Sequence, residues 1–195
     1  LPRGYLSIDR GALTWLEMVA IYFKDTAPFL FRERSMILTD RDIKEFMRLG
    51  KIRFEPEIQS DQIGPGSVDL TLSNRFWRFK NDIDLIDLSE MRFEDVVEEI
   101  QSDEIILPPH GIILGMTVEK IYVDEDVCGW IEGRSRYARM GLAIHSASGF
   151  IHPGSYNHQI LEISNMTSHP IRLKAGLRVV QIAVSYTHLT LPTKA

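Results

Sequence analysis

Leu142-Ala-Ile-His-Ser-Ala-Ser-Gly-Phe-Ile-His-Pro-Gly-Ser-Tyr-Asn-His-Gln-Ile-Leu-Glu-Ile-Ser-Asn165 reads as a short strand, a turn built on Gly149, Pro153 and Gly154, and a second strand over 159–165. In the second strand the period is two. Ile160, Glu162 and Ser164 share one face, and Leu161 and Ile163 take the other. The same grammar extends in both directions. Short apolar segments fall at 68–72, 76–79, 105–107, 112–118, 129–132, 171–173 and 179–183, separated by Gly64-Pro-Gly66, Pro108-Pro-His-Gly111 and Lys174-Ala-Gly176. Many short strands at this spacing predict a mainly β fold, an antiparallel sandwich or barrel.

One helix stands ahead of the strands. Thr39 or Asp40 caps it, Ile43, Phe46 and Met47 recur at i, i+3 and i+4, and Gly50 follows its end. Residues 93–100 read as a second, short acidic helix. No internal repeat or low-complexity linker divides the core.

The chain has 195 residues, 44% hydrophobic and 25% charged, with a formal net charge of −5. That is enough for one sizeable domain with an appendage. Cys128 stands alone, which excludes a disulfide framework and a cysteine zinc cage within the chain and fits a reducing cytosol. No apolar run reaches the roughly 18 residues of a membrane span. Residues 1–35 read as a non-native upstream extension, with Met36 as the authentic start. Residues 184–195, Val-Ser-Tyr-Thr-His-Leu-Thr-Leu-Pro-Thr-Lys-Ala, read as translated sequencing adapter fused to a truncated gene. The remaining core, 36–183, carries 16 basic and 23 acidic residues, a net of −7. A nucleic-acid partner does not fit that balance, and an anion site has to come from local clustering.

Such clustering exists in Glu132-Gly-Arg-Ser-Arg-Tyr-Ala-Arg-Met-Gly141, where three arginines and a hydroxyl lie within six residues. Guanidinium forks suit phosphate oxygens, and a serine hydroxyl adds a neutral donor. A solvated basic turn paired to acidic neighbours is the alternative. Glu162, in the middle of its strand, sits either on a wetted face or in a site where burial would suit it to proton exchange. His145 and His152 are seven residues apart and fit no zinc motif, so both read as structural histidines near a turn. No dinucleotide fingerprint, P-loop, nucleophile elbow or zinc deaminase signature occurs.

Taken together, Met36-Ile-Leu-Thr-Asp-Arg-Asp-Ile, Gly64-Pro-Gly-Ser-Val-Asp-Leu-Thr-Leu72, Glu132-Gly-Arg-Ser, Gly141-Leu-Ala-Ile-His145, Gly149-Phe-Ile-His-Pro-Gly154 and Leu161-Glu162 resemble, in order and spacing, the dCTP deaminases of the trimeric dUTPase-like superfamily. The resemblance implies a distorted antiparallel β-barrel with a short N-terminal helix, a homotrimer with shared sites, and deamination of dCTP to dUTP and ammonia. It implies Mg²⁺ carried on the substrate triphosphate and no catalytic zinc. Residue by residue, Glu162 matches the general base, and Ser135 and Arg139 match groups that orient base, water and glutamate. The stretch Arg134, Ser135, Arg136, Tyr137, Ala138 and Arg139 matches the phosphate grip. Ile160 and Leu161 match the strand whose backbone reads the pyrimidine edge, and Gln181 matches a nucleotide contact. His152 stands where many relatives have aspartate, a sugar contact that helps activate the hydrolytic water in dUTPases. This points to release of dUTP rather than dUMP. Arg136 and Ser148 also depart from the usual serine and alanine. In the family, residues past the last strand close over the triphosphate. Residues 184–195 occupy that place here, so weaker nucleotide binding is expected. A bifunctional deaminase/dUTPase, a dUTPase and a non-catalytic nucleotide sensor remain as alternatives, and feedback by dTTP is left open.

Overall fold

Alternation of buried and open positions governs the long strands, which form a curled main sheet. A computed structural model describes residues 37–187. The expectations for 1–35, for Met36 and for 188–195 lie outside the described residues. In chain order the elements are α1 (Asp40–Arg48), β1 (Ile52–Glu55), a 3-10 turn (Ser60–Gln62), β2 (Val68–Phe79), α2 (Phe93–Val96), β3 (Val97–Gln101), β4 (Glu104–Leu107), β5 (Ile112–Val123), β6 (Val127–Gly133), α3 (Ser135–Ala138), β7 (Leu142–Ile144), β8 (Phe150–Ile151), β9 (Tyr156–Asn165), β10 (Ile171–Lys174) and β11 (Arg178–Tyr186).

Among the described residues the main sheet has nine strands. Seven follow the order β7-β9-β5-β2-β11-β6-β8, with β1 attached to β5 and β3 to β2, while β10 and β4 form a separate pair. Every named pairing is antiparallel. Register shifts at Leu72/Phe76 in β2 and at Met116/Lys120 in β5 let two long strands curl, because an irregular step bends and twists a strand. The inner face carries fully buried Leu70, Leu72, Phe76, Ile121, Ile163 and Ile182. α1 closes one end through Ile43 and Phe46. At its start the backbone N–H and the hydroxyl of Thr39 both donate to Asp42, at 3.2 and 2.6 Å, and Gly50 adopts φ 72° just after its end.

Three expectations change. Segments 68–72 and 76–79 are one strand, since the register shift carries β2 across the polar step between them. The helix expected over 93–100 stops at Val96, and the rest is β3. Val97 pairs with Phe79 and packs with Val96 and Leu114 into a small satellite core, a tertiary contact that outweighs local helix preference. The last strand passes Ala183 and continues through Tyr186. Val184 there is fully buried, and Val184, Ser185 and Tyr186 pair with Gly129, Cys128 and Val127. β1 and β8 were not legible as strands, being four and two residues long.

Candidate active site

β9 delivers Glu162 by simple alternation. Leu161, Ile163 and Asn165 point into the core, while Ile160, Glu162 and Ser164 occupy the other face, as the period-two reading expects. Glu162 lies opposite Leu114 of β5. On its other flank β7 pairs Ile144 with Ile163, and the next residue, His145, donates its backbone N–H to the Glu162 carbonyl at 2.8 Å.

His145 is a non-glycine residue at φ 55°, in the left-handed region that costs an L-residue about 1–2 kcal/mol. That turn lays the imidazole against the carboxylate. Nδ1 of His145 is 3.1 Å from Oε2 of Glu162, with side-chain exposures of 6% and 31%. The contact lies off the angle of a good hydrogen bond, and both atoms are buried without another partner. One carboxylate oxygen is therefore covered by the ring, while the rest of the group is open to water. The two buried atoms are thus each other's polar neighbours, which sets an imidazole against a carboxylate on this face. The sequence reading assigned His145 to a structural turn. Only the β7–β9 register reveals that it faces Glu162.

The loop after His145 is held close to β6. Gly149 O accepts from the Ile131 N–H at 2.7 Å, and a Cβ on Gly149 would stand 2.9 Å from the Ile131 carbonyl oxygen. Beyond it, Trp130, Phe150 and His152 form a ladder of rings with centroid spacings of 5.4 and 4.7 Å. All three are exposed.

The arginine stretch forms the short turn α3, and it does not present its three guanidiniums together. Arg134 turns inward to Asp69 and to the Arg178 carbonyl, at 2.9 and 3.0 Å. Arg136 lies over the Tyr137 ring at 5.2 Å, and it is exposed, as are Ser135, Ala138 and Arg139. Tyr137 packs partly onto the core. Among the described residues, the side chains of Ser135 and Arg139 form no hydrogen bond or ion pair, to Glu162 or to any other group. Gly141 ends the turn at φ 84°, with Thr167 filling the space where a Cβ would go. Ile160 is exposed, and Leu161 is fully buried and pairs with Gly115 of β5. Gln181 accepts from the Ser67 hydroxyl at 3.1 Å, beside the Gly64-Pro-Gly66 turn. Among the described residues no group of three or more His, Cys, Asp or Glu side chains is arranged to hold a metal ion, and no helix is long and apolar enough to cross a membrane.

Residues 37–186 match the family described as dCTP deaminase-like. The chain is 35% identical over 153 residues to "dCTP deaminase, dUMP-forming" of Dictyoglomus thermophilum, covering 76% of this chain and 79% of the relative. It is 38% identical over 153 residues to the protein of the same name from Parafrankia sp., covering 76% and 75%. Among solved structures, the 2'-deoxycytidine 5'-triphosphate deaminase of Agrobacterium tumefaciens aligns with a TM-score of 0.63 at 22% identity. The alignment covers 80% of this chain and 49% of that one, and it supports the curled β fold.

Proposed function

The chain belongs to the dCTP deaminase-like family, and from that premise we propose that it hydrolyses the exocyclic C–N bond of dCTP with Glu162 as the base that activates water. The observation that carries this reading is the Glu162–His145 contact at 3.1 Å, a carboxylate set against an imidazole on the open face of β9. Glu162 takes a proton from water, the hydroxide adds to C4 of cytosine, and the carboxyl returns the proton to the amino group. The C–N bond then breaks and ammonia leaves, and the C4 hydroxyl gives its remaining proton to N3, so that the C4 carbonyl forms. Positioned proton transfer of this kind contributes about 10²–10⁴-fold. His145 stands against one oxygen of the carboxylate. Mg²⁺ enters as part of the substrate, bound to its triphosphate, whose remote binding energy orients the base.

The working unit is a homotrimer with shared sites. Ser135 and Arg139, matched by resemblance to the groups around the glutamate, are exposed and without side-chain partners in the single chain. Ile112, Trp130, Phe150 and Ile160 are large apolar side chains left exposed, and a second copy would cover them. Mixing Glu162→Gln and Arg139→Gln proteins through a dissociation and reassociation step should restore turnover that neither has alone. A mixture that stays inactive would mean that each chain holds a complete site.

The product proposed is dUTP. His152 offers an imidazole, edge-on to Phe150, where resemblance implies the anionic group used for hydrolysis to dUMP. The names of the relatives, dUMP-forming, favour dUMP as the second reading. Separation of dUTP from dUMP after incubation with dCTP and Mg²⁺ decides between them. dUTP alone, with dUMP gained in His152→Asp, supports the assignment, and dUMP from the unaltered chain refutes it.

A further inference from the structure

We propose that the loop between β2 and α2 of one copy seats its apolar side chains in the groove beneath α3 of a second copy, and that this contact brings the second copy's turn to Glu162. The proposal rests on the shared-site reading above for its occupant. Its first observation is the loop itself. Leu85, Ile86 and Leu88 are 76%, 42% and 92% exposed, and Phe93, just past the loop, is 45% exposed. The loop is built to hold them outward. Ile83 and Met91 pack with Trp77 and Phe79 against the satellite core of Val96, Val97 and Leu114. Between them the Ser89 N–H and hydroxyl donate to the Asp87 carboxylate at 2.9 and 2.6 Å, and the Met91 N–H donates to the Asp87 carbonyl at 2.9 Å. Lys80 ties the base of the loop by donating to the carbonyls of Glu94 and Asp95 at 3.1 and 2.9 Å. Large apolar side chains grouped in this way mark a contact surface.

The second observation is a groove of about 220 Å³ between the α3 turn, β7, β10 and the start of β11. Buried Leu142 and Val179 floor it, and Tyr137, Met140, Ile171 and Leu177 wall it. An apolar cavity of about 150 Å³ accepts benzene, so this one has room for a leucine side chain. Charge selects the pairing. Residues 80–95 hold six acidic and two basic residues, a net of −4, while 134–141 and 171–178, which build the groove, hold six basic and no acidic residues. Arg134 and Arg178 are paired to Asp69 and Asp61, and Arg172 and Lys174 share one Glu104 at 3.2 and 3.8 Å, so the rim keeps a positive balance. An acidic loop is drawn to such a rim and repelled by an anionic lipid surface. The third observation is position. Trp77 lies opposite Leu114, and Leu114 opposite Glu162, so the three form one row across β2, β5 and β9, with neighbouring strands about 4.8 Å apart. Phe93 packs on Trp77 with ring centroids 6.4 Å apart. The loop therefore borders the face that carries Glu162, and the groove borders the turn that carries Ser135 and Arg139. Seating one on the other sets the second copy's turn beside Glu162, as a shared site requires.

The test uses the full chain. Leu88→Cys and Met140→Cys proteins, made separately and mixed through a dissociation and reassociation step, are oxidised and run on a non-reducing gel. A disulfide-linked pair in the mixture, and in neither protein alone, supports the contact; Cys128 is buried and common to every sample. Leu88→Glu puts a charge on a side chain that is already open to water in the single chain. Its dissociation constant between copies, from sedimentation over a concentration series, should rise about 10–100-fold, the loss of one buried leucine anchor. Assembly of Leu88→Glu as tight as that of the unaltered chain overturns the proposal and leaves the loop to a different protein. Absence of the linked pair also overturns it, because the loop then meets some other part of the second copy. The shared site fails separately. A linked pair alongside an inactive mixture of Glu162→Gln and Arg139→Gln would keep the contact and refute its role at Glu162. A mixture that regains turnover without a linked pair would keep the shared site and refute the contact.

Discussion

The two halves of the site are built by opposite means. Around Glu162, two strands converge so that a strained histidine and one oxygen of the carboxylate face each other at 3.1 Å. Around α3, a four-residue turn leaves Ser135, Arg136 and Arg139 exposed, and Arg134, just ahead of the turn, is tied to Asp69 and to the Arg178 carbonyl. The chemistry of bond breaking needs the first kind of construction, because a base misplaced by an ångström loses most of its effect. Anion binding tolerates the second. Long guanidinium side chains adjust to a phosphate provided that the backbone beneath them is fixed.

The largest expected effect lies on the rigid side. Glu162→Gln keeps the shape and removes the base, so kcat should fall by about 10³-fold or more, with nucleotide still bound in a titration; turnover within tenfold of the unaltered chain would break the assignment. Next comes Gly149→Ala, whose Cβ would meet the Ile131 carbonyl oxygen at 2.9 Å. Relief of that contact has to move the loop behind His145, at a cost of about 1–3 kcal/mol, and kcat should fall more than KM rises. On the flexible side, Gly141→Ala places a Cβ at a left-handed position against Thr167. It should raise KM for dCTP more than it lowers kcat. Steady-state kinetics on the two glycine variants therefore sharpen the contrast, and an identical pattern in both would erase it.

The smallest effect concerns Asp61, whose two oxygens accept from Arg178 at 2.9 and 3.1 Å. The hydrogen bond from Arg178 is the main cause holding the Asp61 carboxyl below its ordinary value. A carboxylate with a lowered folded-state value favours folding at pH above the ordinary carboxylate range and loses that contribution as pH falls through the lowered value. Asp61→Asn should thus melt slightly below the unaltered chain at neutral pH, and the difference should close in the acid end of a melting series. A difference independent of pH would assign it to packing instead.

Much of this was legible in the residues. The alternation in 159–165 placed Glu162 on the right face, the capping and apolar spacing around Thr39, Ile43, Phe46 and Gly50 located α1, and turn residues separated most strands. β1 and β8 escaped because two to four residues carry too little periodicity. The helix expected at 93–100 gave way to a strand because Val97 has a partner in Phe79, 18 positions away in the chain. Arg134, Arg136 and Arg139 looked alike in sequence, since nothing local distinguishes a guanidinium that has a carboxylate waiting on β2.

The sequence by itself therefore determined the β class, the face of Glu162 and the family, because period, turn chemistry and ordered motifs are local properties of the chain. Tertiary structure decided that His145 faces Glu162, that Arg134 pairs with Asp69, and that the last strand runs to Tyr186. Each of these depends on register between strands far apart in the chain. Register is set by the packing of the whole inner face, where a slip of one residue would turn every core side chain outward.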